Sequence, residues 1–400
     1  MEPWATQLST AASCAHVKAD SVDAVNAALD SAAPAVIDGL LSAAQIESLG
    51  LRHIFGLTHT SAPVRVQLNP YATAPQKRRG LIVRPASTSV NSDRAIEILL
   101  DANRTAYASI ATLSVVERCN ELLSAPPLWP VVELALNGAL QDVCLWVNPR
   151  HRGMRTALHY DGFDNLLVQV RGSKRLLLLP PEARGLLRFE PRGEHAYVLD
   201  TSKRRPAFDG HAPRGDARMG SDGRWVSTVA LDNHAGVNVF AEDVQTATAE
   251  EREEEDEVSV DDALGLELAP HAIACTLNPG QVAFIPALWS HAAVSFTDGD
   301  DDEGRHAEER HLNVAINLWF YSNRSTASFE RAIQTSSWPH AELLYARALR
   351  ALGRRREARR LLEGLLASTA GRQWGGYEHA RQELEAMRSS LHGELDRDEL

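Results

Sequence analysis

The stretch Thr156-Ala-Leu-His-Tyr-Asp-Gly-Phe-Asp-Asn-Leu-Leu-Val-Gln-Val-Arg-Gly-Ser-Lys-Arg-Leu-Leu-Leu-Leu179 decides the reading of this chain. It opens with a histidine and a carboxylate two residues apart, His159 and Asp161. On a strand, residues i and i+2 point to the same face, so both side chains can reach one metal ion. Two apolar runs follow, Leu166–Val170 and Arg175–Leu179, on either side of Arg171-Gly172-Ser173-Lys174. That pattern predicts a β-hairpin with Lys174 at the start of its second strand. There the ammonium can pair with the far carboxylate of a bound diacid. A turn lysine is more often simply solvated.

The His-x-Asp pair is weak on its own in a chain with 15 histidines. His306/Glu308, in an acidic stretch, and His340/Glu342, in a helical segment, are look-alikes. On a helix, side chains at i and i+2 diverge and cannot chelate. The pair 159/161 differs in being followed by Asn165, an apolar strand, Gly172 and Lys174.

A second strand-rich block runs from Ala272 to Phe320, with Ala274–Asn278, a Pro279-Gly280 turn, Val282–Ile285 and Leu312–Asn317. Within it, Gly280-Gln-Val-Ala-Phe-Ile-Pro-Ala-Leu-Trp-Ser-His291 reads as a turn, a buried strand and a histidine. His291 is the candidate third ligand, expected on a later strand across the barrel. Its ordinary alternative is a satisfied core histidine. Two histidines and one carboxylate on one face of an octahedron, with the other face open, form the donor set of non-haem Fe(II) oxygenases.

Taken together, these segments resemble the cupin-like JmjC hydroxylases. Residues 156–181 are similar to that family's first iron-binding segment, and residues 279–291 to its second. The second is usually written with Gly-Asp before the apolar strand, where this chain has Gln281. Asn317-Leu-Trp319 resembles the family's closing Asn-Phe-Trp strand. The resemblance covers roughly residues 30–345. It implies a mainly β fold with helices (α+β): a double-stranded β-helix, or jelly roll. It implies Fe(II) on His159, Asp161 and His291. It also implies 2-oxoglutarate as co-substrate on Lys174, Asn165 and Thr156, with Asn317 lining the pocket and Tyr107 closing it. The implied activity is a dioxygenase that uses O2 to hydroxylate a C–H bond.

Within the family, HYDxxDNLLxQVxGxKR, FIPALWxH and Tyr321-Ser-Asn-Arg are most similar to the tRNA wybutosine-synthesising hydroxylases. Thr156, three residues before His159, is more like the protein-directed members. The substrate is therefore expected to be a tRNA base, with an Asn, Asp, Lys or Arg side chain of a protein as the alternative. A catalytically silent cupin-like binding protein is the reading from another class, and intact metal and co-substrate residues argue against it. A zinc hydrolase on the same ligands lacks an evident general base.

The chain has 400 residues, 44% of them hydrophobic, enough to bury a large core. Its net charge is −12, but residues 250–262 carry −8 and residues 298–309 carry −6, which leaves the remainder at +2. Arg150-His-Arg152 with Arg155, Lys77-Arg-Arg79, Lys203-Arg-Arg205 and Arg354-Arg-Arg356 are basic clusters able to grip phosphates; each is ordinarily just a soluble surface.

The expected organisation is an N-terminal α/β region over 1–125, a jelly-roll core over 126–322 and helices over 323–400. Acidic insertions fall near 203–265 and 298–310, and 203–225 together with 250–257 is expected to be mobile and solvated. Residues 20–50 and 93–124 have helical spacing; Pro34–Gly39 reads as strand and turn, and Val64–Leu68 as an edge strand next to Gly80–Arg84. The resemblance implies that the helical tail is the candidate homodimer contact, and its helical leucine spacing is consistent with this without requiring it.

Four dispersed cysteines without a CxxC pair predict neither a thiolate zinc site nor a disulfide framework. With no secretory leader at Met1 and no membrane-spanning run, a cytoplasmic protein is expected, with the nucleus as the alternative. The final Arg-Asp-Glu-Leu is then a charged terminus and not a retention signal.

Overall fold

The computed structural model describes residues 4, 6–50, 64–68, 73–74, 76–78, 81–84, 86–100, 108–113, 139–149, 154–189, 193–200, 207–213, 218–219, 225–226, 233–240, 258–259, 262–297, 312–335, 338–373 and 376–398. Tyr107, the acidic runs 250–257 and 298–309, and the clusters at 150–152 and 203–205 lie outside them.

Two large sheets make the barrel. The first has the strand order β1 (Ala12–Ser13), β12 (Ile273–Leu277), β11 (Ser173–Leu179), β14 (Ser290–Phe296), β9 (Met154–Tyr160), β5 (Thr73–Ala74). The second has the order β2 (Ala15–Lys18), β3 (Ala35–Asp38), β13 (Val282–Ile285), β10 (Asp164–Arg171), β15 (Leu312–Tyr321), β8 (Ala139–Pro149), β7 (Ala108–Leu113), β4 (Val64–Leu68), β6 (Ala86–Val90).

The near-continuous apolar runs follow from burial on both faces of each sheet. Leu167, Leu176, Leu178, Ala283, Ile285 and Ala315 meet between the sheets. The other face of the second sheet, including Leu166, Val168, Phe284 and Ile316, is covered by residues from α1 (Val22–Asp30), α2 (Ala43–Ser48) and α3 (Ser92–Leu100). The other face of the first sheet packs Leu177, Leu179, Ala292 and Val294 against Trp4, Leu8, Val239 and Leu268 of α4 (Asp262–Leu268).

This double burial corrects the predicted hairpin. β10 and β11 follow one another closely but do not pair: β10 lies between β13 and β15, and β11 between β12 and β14. The chain turns a corner at Gly172 and crosses from one sheet to the other. Gly172 has φ +63°, and a Cβ there would stand 2.3 Å from the Phe296 carbonyl oxygen and 2.8 Å from Asn313 Nδ2. Asn313 Nδ2 ties the corner by donating to the carbonyls of Ser173 and Phe296, both at 2.8 Å. Gly280, at φ +87°, makes the matching corner between β12 and β13. Gln281, at the position of the family's usual Asp, accepts from Asn278 N at 2.7 Å and donates to Asp38 Oδ1 at 2.6 Å.

Other expectations are also corrected. Val64–Leu68 is not an edge strand: it lies between β6 and β7, while Leu81–Arg84 joins a separate sheet with Gln76–Arg78, Gly193–Asp200 and Ala207–Pro213. In 93–124 the helix ends at Leu100, and Ala108–Leu113 is strand β7 because it continues the second sheet beside β8. Of the stretch 203–225, Ala207–Pro213 pairs with Gly193–Asp200, so this part is built structure. Cys14 and Cys275, 261 residues apart, form a disulfide where β1 lies beside β12, against the expectation from their spacing.

After β15 come α5 (Asn323–Thr335), α6 (Pro339–Ala351), α7 (Arg355–Ala367), α8 (Thr369–Gln373) and α9 (Tyr377–Asp398). Pro339 opens α6 at its first turn, where the missing N–H costs nothing. Gly353, at φ +78°, lets the chain leave α6. Most of the tail's leucines among the described residues are spent inside the chain. Leu343, Leu344, Leu349, Leu362, Leu365 and Leu384 pack with Tyr160, Leu288 and Tyr321 at one end of the barrel. Among the described residues no helix is long and apolar enough to cross a membrane.

Candidate metal centre

β9 and β14 are antiparallel neighbours, and His159 stands opposite His291 in their register. The candidate third ligand is thus on the adjacent strand, not across the barrel. The pairing slips between Thr156 and His159, an irregularity of the kind that re-aims side chains beside functional sites. Asp161 lies just beyond the end of β9, where its carbonyl accepts from Leu288 N at 2.8 Å.

His159, Asp161 and His291 each offer a ligand atom, and these atoms lie within 4.8 Å of one another. His291 Nε2 is 3.8 Å from Asp161 Oδ2, and the two imidazole centroids are 4.3 Å apart. The Nδ1 of His159 lies 2.8 Å from the Ala157 carbonyl, and that of His291 3.1 Å from the Trp289 carbonyl. A carbonyl only accepts, so each Nδ1 carries a proton and Nε2 is the atom each ring can offer to a metal. His234, buried, stacks on His159 with ring centroids 5.4 Å apart and hydrogen-bonds Asn233 through Nδ1 at 2.8 Å.

Beside the three ligand residues is a cavity of about 70 Å³, lined by Thr156, Asn165, Lys174 and Asn317, by Trp146 and Trp319, and by the apolar Leu167, Leu176 and Ile285. Five of the residues singled out from sequence, His291 included, therefore join His159 and Asp161 at one place. Lys174 is buried, and its ammonium donates to Ser295 Oγ at 2.9 Å. Among the described residues no carboxylate pairs with it. Burial pushes its pKa down to about 8. Asn317 Nδ2 donates to Asn165 Oδ1 at 3.1 Å, while Asn317 Oδ1 and Trp319 Nε1 are buried without a hydrogen-bond partner. Unsatisfied buried polar groups are costly, and an uncompensated ammonium more so. Of these groups, the Lys174 ammonium and the Trp319 N–H are the donors that suit a small anionic guest.

A second, larger cavity of about 610 Å³ opens from Asp161 towards the C-terminal helices, lined by Phe163, Tyr321, Leu344, Arg347, Arg350 and Glu383 among others. Sequence reasoning missed this wall, along with Ser295, His234 and Trp146. Ser295 had a signal: on β14, His291, Ala293 and Ser295 alternate onto one face. The others are set by contacts distant in sequence.

A family model described as Cupin-like domain matches residues 23–326. The tRNA wybutosine-synthesizing protein 4 of Gibberella zeae is 27% identical over 193 residues, covering 45% of this chain and 12% of that protein. The chain thus spans a small part of this relative's length.

Proposed function

The chain belongs to the Cupin-like domain family, of the JmjC type, and from that premise we propose that it is an Fe(II)- and 2-oxoglutarate-dependent dioxygenase that hydroxylates a C–H bond. The observation that carries the reading is the pairing of a His-Asp-His group with a buried lysine that has no carboxylate partner among the described residues, in one small cavity.

The donor set fits Fe(II): two imidazoles and one carboxylate offer ligand atoms within 4.8 Å of one another, the donor types of non-haem Fe(II) sites that leave other positions open. When bound, iron and 2-oxoglutarate supply the oxidising chemistry, with O2 consumed and the keto acid decarboxylated to succinate. The protein supplies position, charge and dryness. His159 and His291 present their Nε2 atoms because backbone carbonyls hold their Nδ1 protons. Lys174, steadied by Ser295, receives the far carboxylate of the diacid. Thr156, Asn165, Asn317 and Trp319 offer hydrogen bonds to its remaining oxygens, and Leu167, Leu176 and Ile285 keep water out. For the oxidised substrate we propose a modified tRNA base; the support is the likeness to a protein named for tRNA wybutosine synthesis.

The test is succinate release from 2-oxoglutarate with Fe(II) and O2, with bulk tRNA or cell extract as primer. Wild-type release at least tenfold above that of His159→Ala and Lys174→Ala is expected. Equal release from all three folded proteins would overturn the oxygenase reading.

A further inference from the structure

The larger cavity ends in an ion cluster that the chemistry above does not use. Arg347 and Arg350, one turn apart on α6, both bind Glu383 of α9, through Nε–Oε1 at 3.0 Å and Nη1–Oε2 at 2.5 Å. His379 accepts a further hydrogen bond from Arg347. Two guanidiniums on one carboxylate leave one positive charge uncompensated. The Glu383 side chain is only 17% exposed, whereas that of Arg350 is 43% exposed.

Glu383 therefore sits where an anion from outside would sit. Charge continues beyond the cavity: from Arg347 to Arg360 the chain has seven arginines and a single acid, Glu357. At the inner end stands Asp161, which also lines the small cavity, and the rings of Phe163 and Tyr321, 4.9 Å apart, form an aromatic wall. An arginine pair lining an aromatic-walled cavity, on an arginine-rich stretch of chain, suits a polyanion with stackable bases.

We infer that this cavity receives one nucleotide unit of an RNA, its base against Phe163 and Tyr321 and its phosphate at Arg347 and Arg350, where Glu383 holds the place until the phosphate displaces it. The inference rests on the oxygenase reading for what happens to the base, since the shared Asp161 is what brings that base to the metal centre.

The experiment is fluorescence anisotropy of labelled bulk tRNA, against a labelled polyglutamate peptide, across a salt series. Arg347→Gln/Arg350→Gln is expected to weaken tRNA binding by roughly tenfold or more and to make the log K against log salt slope shallower by about 0.8 for the one lost phosphate contact. Glu383→Gln is expected to tighten it severalfold, because the guanidiniums lose their internal competitor. A cluster that merely held α6 to α9 would give weaker binding, or none, in both variants, and that result overturns the proposal. So does unchanged binding in the arginine variant, or arginine-dependent capture of polyglutamate but not tRNA. If the double variant fails to fold, the half-exposed Arg350→Gln alone carries the test. Anisotropy reads no turnover, so a failed oxygenase reading leaves it intact. Conversely, a failed anion site leaves unprimed succinate release intact.

Discussion

The two cavities that meet at Asp161 handle positive charge in opposite ways. In the small one, Lys174 is buried with a single hydroxyl as partner, so its charge is satisfied only when a guest brings a carboxylate. In the large one, Arg347 and Arg350 already hold Glu383, and a guest must compete. The difference teaches which site is rigidly specified. A buried unpaired ammonium makes the small cavity intolerant of change, while an exchangeable ion cluster near solvent makes the large one adjustable.

The sharpest way to separate the two is at the corner that delivers Lys174. Gly172→Ala puts a methyl group against the Phe296 carbonyl and into a left-handed backbone, and should cost about 3 kcal/mol of stability. Thermal melts check this. The same variant should lose 2-oxoglutarate binding while tRNA binding measured below its melting temperature changes little.

Asp164 tests whether the regions are independent. It is wholly buried, with Oδ2 accepting from the hydroxyls of Ser322 and Ser325 and Oδ1 from Ala287 N, so it joins the start of β10 to the start of α5. Asp164→Ala leaves these donors unmet and should cost about 2 kcal/mol by chemical denaturation. It should weaken guests of both cavities, and an effect on one alone would mean that they are uncoupled.

The mildest probe is pH. Burial lowers Lys174 to about 8, so above that pH the empty cavity loses its ammonium. Affinity for 2-oxoglutarate, followed by calorimetry, should fall by up to about tenfold per pH unit above 8, and tRNA binding should not follow it. The fold responds with the opposite sign. Between about 8 and the ordinary lysine value of 10.5 the unfolded chain binds the extra proton, so Lys174's contribution to stability rises with pH there.

Legibility from sequence divided along the same line. Thr156, His159, Asp161, Asn165, Lys174, His291 and Asn317 line one cavity; strand alternation and turn chemistry point to His159, Asp161, Lys174 and His291, whereas Thr156, Asn165 and Asn317 enter only through the family resemblance. The hairpin was misread because Gly172 announces a change of direction but not which sheet accepts the next strand. That depends on β14 and β15, more than a hundred residues away. The α6–α9 cluster left no local trace: Arg347 and Arg350 stand 36 and 33 residues from Glu383. Spacing rules see neighbours along a strand or helix, not neighbours between helices.

The Cys14–Cys275 bond makes a covalent ring of the chain, and every peptide bond between those residues falls inside it. A single protease cut at any of these bonds opens the ring but frees nothing. The pieces migrate apart only after reduction, so the same nick reads as an intact molecule or as two fragments according to the thiol in the gel.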